Sequence, residues 1–144
     1  MNKRMLDHSV NIIAYEKNNT KYAMCCAWSM MVDYDKVLSL LGSQSVTGKN
    51  LSKGDRVGFS CLSQGQKNVA EALGDRHSNE VDKLDGIDYK NDNGAIVVLG
   101  AMTNCVCEVI DILHLEGIEE DNLLYLKVLY CEENNLAPLH MSDF

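Results

Sequence analysis

Short runs of strand-forming residues broken by turn signals, with one stretch of helical period, constrain this chain more than any other feature. Val10-Asn-Ile-Ile-Ala-Tyr15 is rich in strand formers. The polar turn Glu16–Lys21 follows, then a second extended run from Tyr22 to about Met31, and together they read as a hairpin. Lys36 to Leu41, Arg56 to Leu62, Ile96 to Leu99, Met102 to Leu113 and Leu123 to Tyr130 supply the other extended segments. Only Gln66 to Leu73 changes period, placing Val69, Ala70 and Leu73 at helical spacing before Gly74 as a stop. About seven strands and one main helix, with only short helices beside it, predict a mainly β barrel or sandwich. Strand–helix alternation is missing, and neither Gly-x-Gly-x-x-Gly nor Gly-x-x-x-x-Gly-Lys-Ser/Thr occurs. Both absences argue against a doubly wound nucleotide domain.

A length of 144 residues with 46% hydrophobic side chains fits one domain over residues 1–144. The net charge of −8 disfavours nucleic acid and anionic lipid, so neither a nucleic-acid nor a membrane partner is expected. The longest apolar stretch, Ala95–Met102, is far short of a bilayer span, and no apolar run follows the basic residues of Met1–His8. The expected location is therefore cytoplasmic. Six cysteines then read as free thiols, mostly small buried core residues. Cys105 and Cys107 alternate on one face of a strand. No Cys-x-x-Cys occurs, and His8, His114 and His140 lack ligand spacing, so no metal is expected.

Four stretches give the chain a likeness to a known family. They are Met24-Cys-Cys-Ala-Trp28, Gly42-Ser-Gln-Ser-Val-Thr-Gly-Lys-Asn-Leu51, Phe59-Ser-Cys-Leu-Ser-Gln-Gly-Gln66 with Val69-Ala70 and Leu73-Gly74, and Gly94-Ala-Ile-Val-Val-Leu-Gly-Ala101 through Cys107-Glu-Val109. In order and spacing they resemble the Met-Thr-Ala-Ser-Trp strand end, the Ser-x-Thr phosphate loop, the Asn-Val-Leu-x-x-x-Gln strand end and the Gly-x-Pro-x-Leu-x-Gly-Ala strand pair of the flavin reductase-like, FMN-binding split-barrel proteins. The likeness runs from about Val10 to Tyr130. Two departures stand out. Asp35-Lys36-Val37 replaces the family's Asp-Pro-Pro, and Cys25 and Ala27 replace two hydroxyl residues along the flavin.

The resemblance implies a Greek-key split β-barrel, FMN as cofactor with FAD as the alternative, NAD(P)H as co-substrate, and a homodimer. A flavin phosphate wants several short donors, which Ser43, Ser45, Thr47, Lys49 and Asn50 supply, with Thr47 placed where a helix can begin. The ring wants an apolar slot with backbone donors, which Met24, Cys25, Cys26, Ala27, Trp28 and Ser29, and Leu62, Ser63 and Gln66, offer where strands stop. Gln66 is read either as a ring contact or as the N-terminal residue of the helix. Trp28 has two readings as well, a ring-edge or interface contact and plain core, while Met30 and Met31 are read as core. Arg76, His77 and Lys83 are read as solvated surface, with a pyrophosphate clasp as the alternative. No catalytic side chain is expected, because the flavin carries the chemistry. The expected activity is NAD(P)H-dependent reduction of flavin or another small acceptor. The alternatives are an electron-transfer flavoprotein serving a protein partner, and a flavin- or heme-binding module without turnover.

Overall fold

The computed structural model describes residues 6–42, 46–74, 84–118 and 121–144. Its strands are β1 (Asn11–Lys17), β2 (Thr20–Cys26), β3 (Ser29–Asp33), β4 (Lys36–Gly42), β5 (Arg56–Cys61), β6 (Tyr89–Asp92), β7 (Ala95–Val98), β8 (Thr103–Leu113) and β9 (Asp121–Glu133). The helices are α1 (Val46–Lys49) and α2 (Lys67–Gly74), with a 3-10 turn at Gln64–Gln66 and another at Met141–Asp143. The mainly β architecture holds.

The strands form one antiparallel sheet in the order β3-β4-β9-β8-β5-β1-β7-β6, with β2 paired to β1. The sheet curls until β2 and β4 face each other without a backbone ladder. Side chains close that seam: Cys26 Sγ lies 3.2 Å from Ser39 Oγ and 3.4 Å from the Leu40 carbonyl oxygen.

Two cores explain why β1 does not alternate in hydrophobicity. Ile13 and Tyr15 point into the barrel with Val57, Phe59, Leu124 and Leu126. Ile12 and Ala14 point outward, where Ala70 and Leu73 of α2 cover them together with Ile96, Val98 and Leu139. A strand buried on both faces is apolar at successive positions. The β1–β2 hairpin turns at Asn18-Asn19, both with positive φ (53° and 63°), the conformation Asn tolerates best among residues with a Cβ.

Several expectations are corrected. The run from Tyr22 to Met31 is not one strand: it breaks at Ala27-Trp28 into β2 and β3. Met30 and Met31 are not core but 61% and 64% exposed, and Trp28, at 62%, is not core either. β3 is an edge strand whose outer side has no neighbour in the sheet. Tyr89–Asp92, outside the extended segments expected from sequence, forms β6 and pairs with β7 through the Asn93-Gly94 turn. The cysteines are not all free, because Cys105 and Cys131 are joined in a disulfide. Cys131 is exposed, unlike the buried thiol expected within an apolar run. Arg76, His77 and Lys83 lie outside the described residues.

Candidate functional site

The site is built at one corner, where β2 ends and β4 hands over to α1. Ala27 and Trp28 form a tight link, Ser29 N–H donating to Ala27 C=O at 3.0 Å. Leu40 N–H donates to the Trp28 carbonyl at 2.9 Å, which fixes the link against the end of β4. Behind it, Ser29 Oγ and Ser39 Oγ are 2.7 Å apart, and Cys26 Sγ lies 3.4 Å from Ser29 Oγ. The Cys26 thiol and the Ser29 hydroxyl are thus engaged in the barrel seam. The Cys25 side chain packs on the other side, against the core beneath α2.

From Gly42 the chain enters the segment holding Ser43 and Ser45, both outside the described residues, and emerges as α1. Two bonds moor this short helix. The Thr47 hydroxyl donates to the Ala23 carbonyl at 3.3 Å, and the Tyr15 hydroxyl donates to the Thr47 carbonyl. Burial pushes the Tyr15 phenol far above its ordinary value, so it remains a protonated donor. Lys17 Nζ holds the following turn, donating to the Asn50 carbonyl (2.9 Å), Ser52 Oγ (3.3 Å) and Asp55 Oδ2 (2.7 Å). Asn122 Nδ2 adds a bond to the Gly48 carbonyl at 3.2 Å.

This mooring divides the expected phosphate donors. Thr47 is 2% exposed and its hydroxyl proton is committed to Ala23, so it positions the helix rather than offering that hydroxyl to an anion. Lys49 and Asn50 are exposed at the end of α1. The structure therefore sets Thr47 against Ala23 of β2 and holds the Asn50 carbonyl at Lys17, beside the β1–β2 turn.

At Leu62–Gln66, where a donor edge is expected, several of the polar groups have partners within the fold. Leu62 N–H bonds Val10 C=O and Leu62 C=O accepts from Leu139 N–H, both at 2.9 Å. Ser63 N–H goes to Gln66 Oε1 at 3.0 Å, and Ser63 Oγ donates to Gly100 C=O at 2.9 Å. Gln66 Nε2 donates to Leu99 C=O at 3.0 Å, which makes Gln66 the capping residue that was its second reading. These groups are satisfied within the fold. A cavity of about 420 Å³ is lined by Leu99, Gly100, Asn104, Tyr130, Asn134 and Leu136 among others, and by none of the residues expected to bind the cofactor.

We expect Tyr15→Phe to lower stability by about 1–2 kcal/mol, since it leaves a buried carbonyl without its donor. Urea unfolding measures this, and an unchanged midpoint would show that the phenol does not moor α1.

No group of three or more His, Cys, Asp or Glu suited to a metal occurs among the described residues. No helix among them is long and apolar enough to cross a membrane.

The fold is shared with several solved structures. It matches the NADH:FAD oxidoreductase SgcE6 of Streptomyces globisporus C-1027 with a TM-score of 0.84 at 17% identity, covering 94% of this chain and 81% of that one. It matches the flavin reductase PheA2 at 0.79 and 19% identity, covering 94% and 85%. It matches an FMN-binding protein from Thermus thermophilus at 0.82 and 17% identity, covering 94% and 77%. No curated protein sequence matches the chain. The model of the flavin reductase like domain matches residues 3–142, and with nearly its whole length so matched the chain belongs to that family.

Proposed function

We propose that the chain is an FMN-binding oxidoreductase that uses NAD(P)H to reduce flavin or another small acceptor. Family membership supports the reaction class, and so do the functions of the fold neighbours, among them SgcE6, whose structure is known in complex with NAD and FAD fragments. The observation that carries the reading is the corner itself. A helix moored by Tyr15 and Thr47 holds Lys49 and Asn50 in exposed positions, and at the β2–β3 link Trp28 stands uncovered by the core. That donor chemistry fits FMN: cation and amide for a phosphate, an open indole and the β2 end for a flat ring.

In this reading Lys49 and Asn50, with Ser43 and Ser45, hold the phosphate. Met24–Ser29 line the ring, and the satisfied edge at Leu62–Gln66 stands as a fixed wall. The flavin supplies two-electron chemistry when bound. The chain orients it, offers fixed dipoles at the β2–β3 link, and leaves one face open for the nicotinamide. Purified protein mixed with NADH and FMN tests this. NADH consumption that scales with protein supports the reductase, whereas a colourless protein that ignores FMN refutes every flavin reading. A yellow protein that leaves NADH untouched supports the electron carrier instead.

A homodimer belongs to the same proposal. Edge strand β3 presents Met30, Met31 and Val32 to solvent, followed by Tyr34 at 95% exposure. An exposed apolar edge of this kind is ordinarily covered. Met31→Asp is expected to give a monomer in sedimentation velocity where the parent sediments as a dimer. A monomeric parent would remove the claim.

A further inference from the structure

Cys105 of β8 and Cys131 of β9 are direct register partners, joined by a disulfide, with Cα atoms 4.2 Å apart. Their environments differ: Cys105 is buried and Cys131 is exposed. The neighbouring thiols are of another kind. Burial pushes Cys61 up to about 11 and Cys107 up to about 12, Cys107 also feeling Cys61 beside it. Both stay neutral and inert toward exchange.

Beyond Cys131 the chain runs straight to the proposed cofactor wall. Asn134 N–H bonds the Met102 carbonyl at 2.8 Å and Asn134 Nδ2 the Ala101 carbonyl at 2.9 Å. Gln64 N–H donates to the Ala137 carbonyl, and Leu139 N–H to the Leu62 carbonyl, each at 2.9 Å. The disulfide therefore staples the end of β9 just before the segment that clamps Leu62 and Gln64.

We propose that Cys105–Cys131 is a reversible thiol–disulfide switch for low-molecular-weight thiols, closed when it fixes the Leu62–Gln66 wall and open when it loosens it. Its coupling to cofactor binding rests on the flavin reading given above; the switch itself does not. In opening, a small-molecule thiolate attacks the exposed Cys131 Sγ, the protein S–S bond breaks, and Cys105 leaves as a thiolate that takes up a proton. A second thiolate then attacks the small-molecule sulfur of the mixed disulfide. That step frees Cys131 and releases a small-molecule disulfide. The protein gains two electrons and two protons, both supplied by the two thiols. Closing is the reverse, with glutathione disulfide as oxidant.

The test equilibrates the full chain in glutathione buffers from reduced to oxidised, quenches exchange with acid, unfolds the chain in denaturant containing iodoacetamide so that every free thiol is alkylated, and maps the labelled peptides. Label on Cys105 and Cys131 should vanish together as the buffer becomes oxidising, while Cys61 and Cys107 label throughout. The oxidised form should melt about 5–10 °C higher and bind FMN about fivefold tighter. Cys131→Ser should match the reduced parent in both respects and ignore the buffer. Equal labelling of Cys105 and Cys131 in all buffers, or a redox-dependent Tm in Cys131→Ser, overturns the switch. A shift in Tm with unchanged FMN affinity overturns the coupling. If neither redox state binds FMN, the flavin reading fails and the coupling with it, while labelling and Tm still decide the switch.

Discussion

Gly58→Ala is expected to cost about 3–5 kcal/mol and lower Tm by at least about 10 °C. β7 crosses directly over β5 at this residue. An added Cβ would lie 1.7 Å from the Ile96 carbonyl oxygen and 2.3 Å from its carbon. Both are backbone atoms of a strand buried at all four positions, so no flexible side chain can yield. The crossing is also pinned by Val98 N–H donating to Ser60 Oγ at 3.0 Å, and by the pairing of Tyr15 with Ala95. Relief requires separating β7 from β5, which breaks these contacts and opens the core under α2. Gly65→Ala is the control, because a Cβ there meets nothing within 4 Å; it should change stability by less than about 1 kcal/mol. Guanidinium unfolding of both variants decides the matter. If Gly58→Ala unfolds at the same midpoint as Gly65→Ala, the strand crossing is not as close as described.

What sequence reveals here divides along physical lines. Period-two runs and one helical stretch are local signals, and they mark nearly every strand and α2. The break at Ala27-Trp28 carries no such signal, since Met24–Val32 is almost continuously apolar and free of Gly and Pro. It arises because β3 must turn away to pair with β4 across the barrel seam. β6 is legible in the turn that follows it: Asn93-Gly94, with φ of 50° and 97°, is a strong hairpin signal flanked by Tyr89–Asp92 and Ala95–Val98. The disulfide was not legible. Cys105 and Cys131 lie 26 residues apart, and only the register of a long bulged hairpin sets them opposite one another. At the candidate site, composition marks residues 47–50 and 24–29 as a candidate binding corner, and the structure sets Thr47 against Ala23 of β2. It does not reveal that Thr47, Ser63 and Gln66 bond within the fold, because hydroxyls and amides look alike in sequence whether they face a ligand or a carbonyl.

Charge reversal at Lys49 should separate phosphate recognition from ring recognition. Lys49 closes α1 in exposed surroundings, while Lys17, the other nearby ammonium, is held by Asp55, Ser52 and Asn50. In the proposed reading Lys49 is therefore the cation that meets the phosphate. Lys49→Glu is expected to weaken FMN binding about 10–100-fold, the range for losing a charge-assisted contact. Riboflavin, which has the ring without the phosphate, should bind parent and variant alike. The contrast should shrink in high salt, because the site is exposed and screened. pH supplies an independent check through the phosphate. A phosphate monoester takes up its second proton near about pH 6, so lowering the pH through that value halves its charge. In the parent this removes attraction to Lys49, and FMN affinity falls as pH falls. In Lys49→Glu the same protonation removes repulsion, and the trend should flatten or reverse. Fluorescence titration of FMN and riboflavin at two pH values measures all of this. Should the ratio of FMN to riboflavin affinity be the same in parent and variant, the phosphate does not sit at the end of α1, and the cofactor orientation proposed for this corner is wrong.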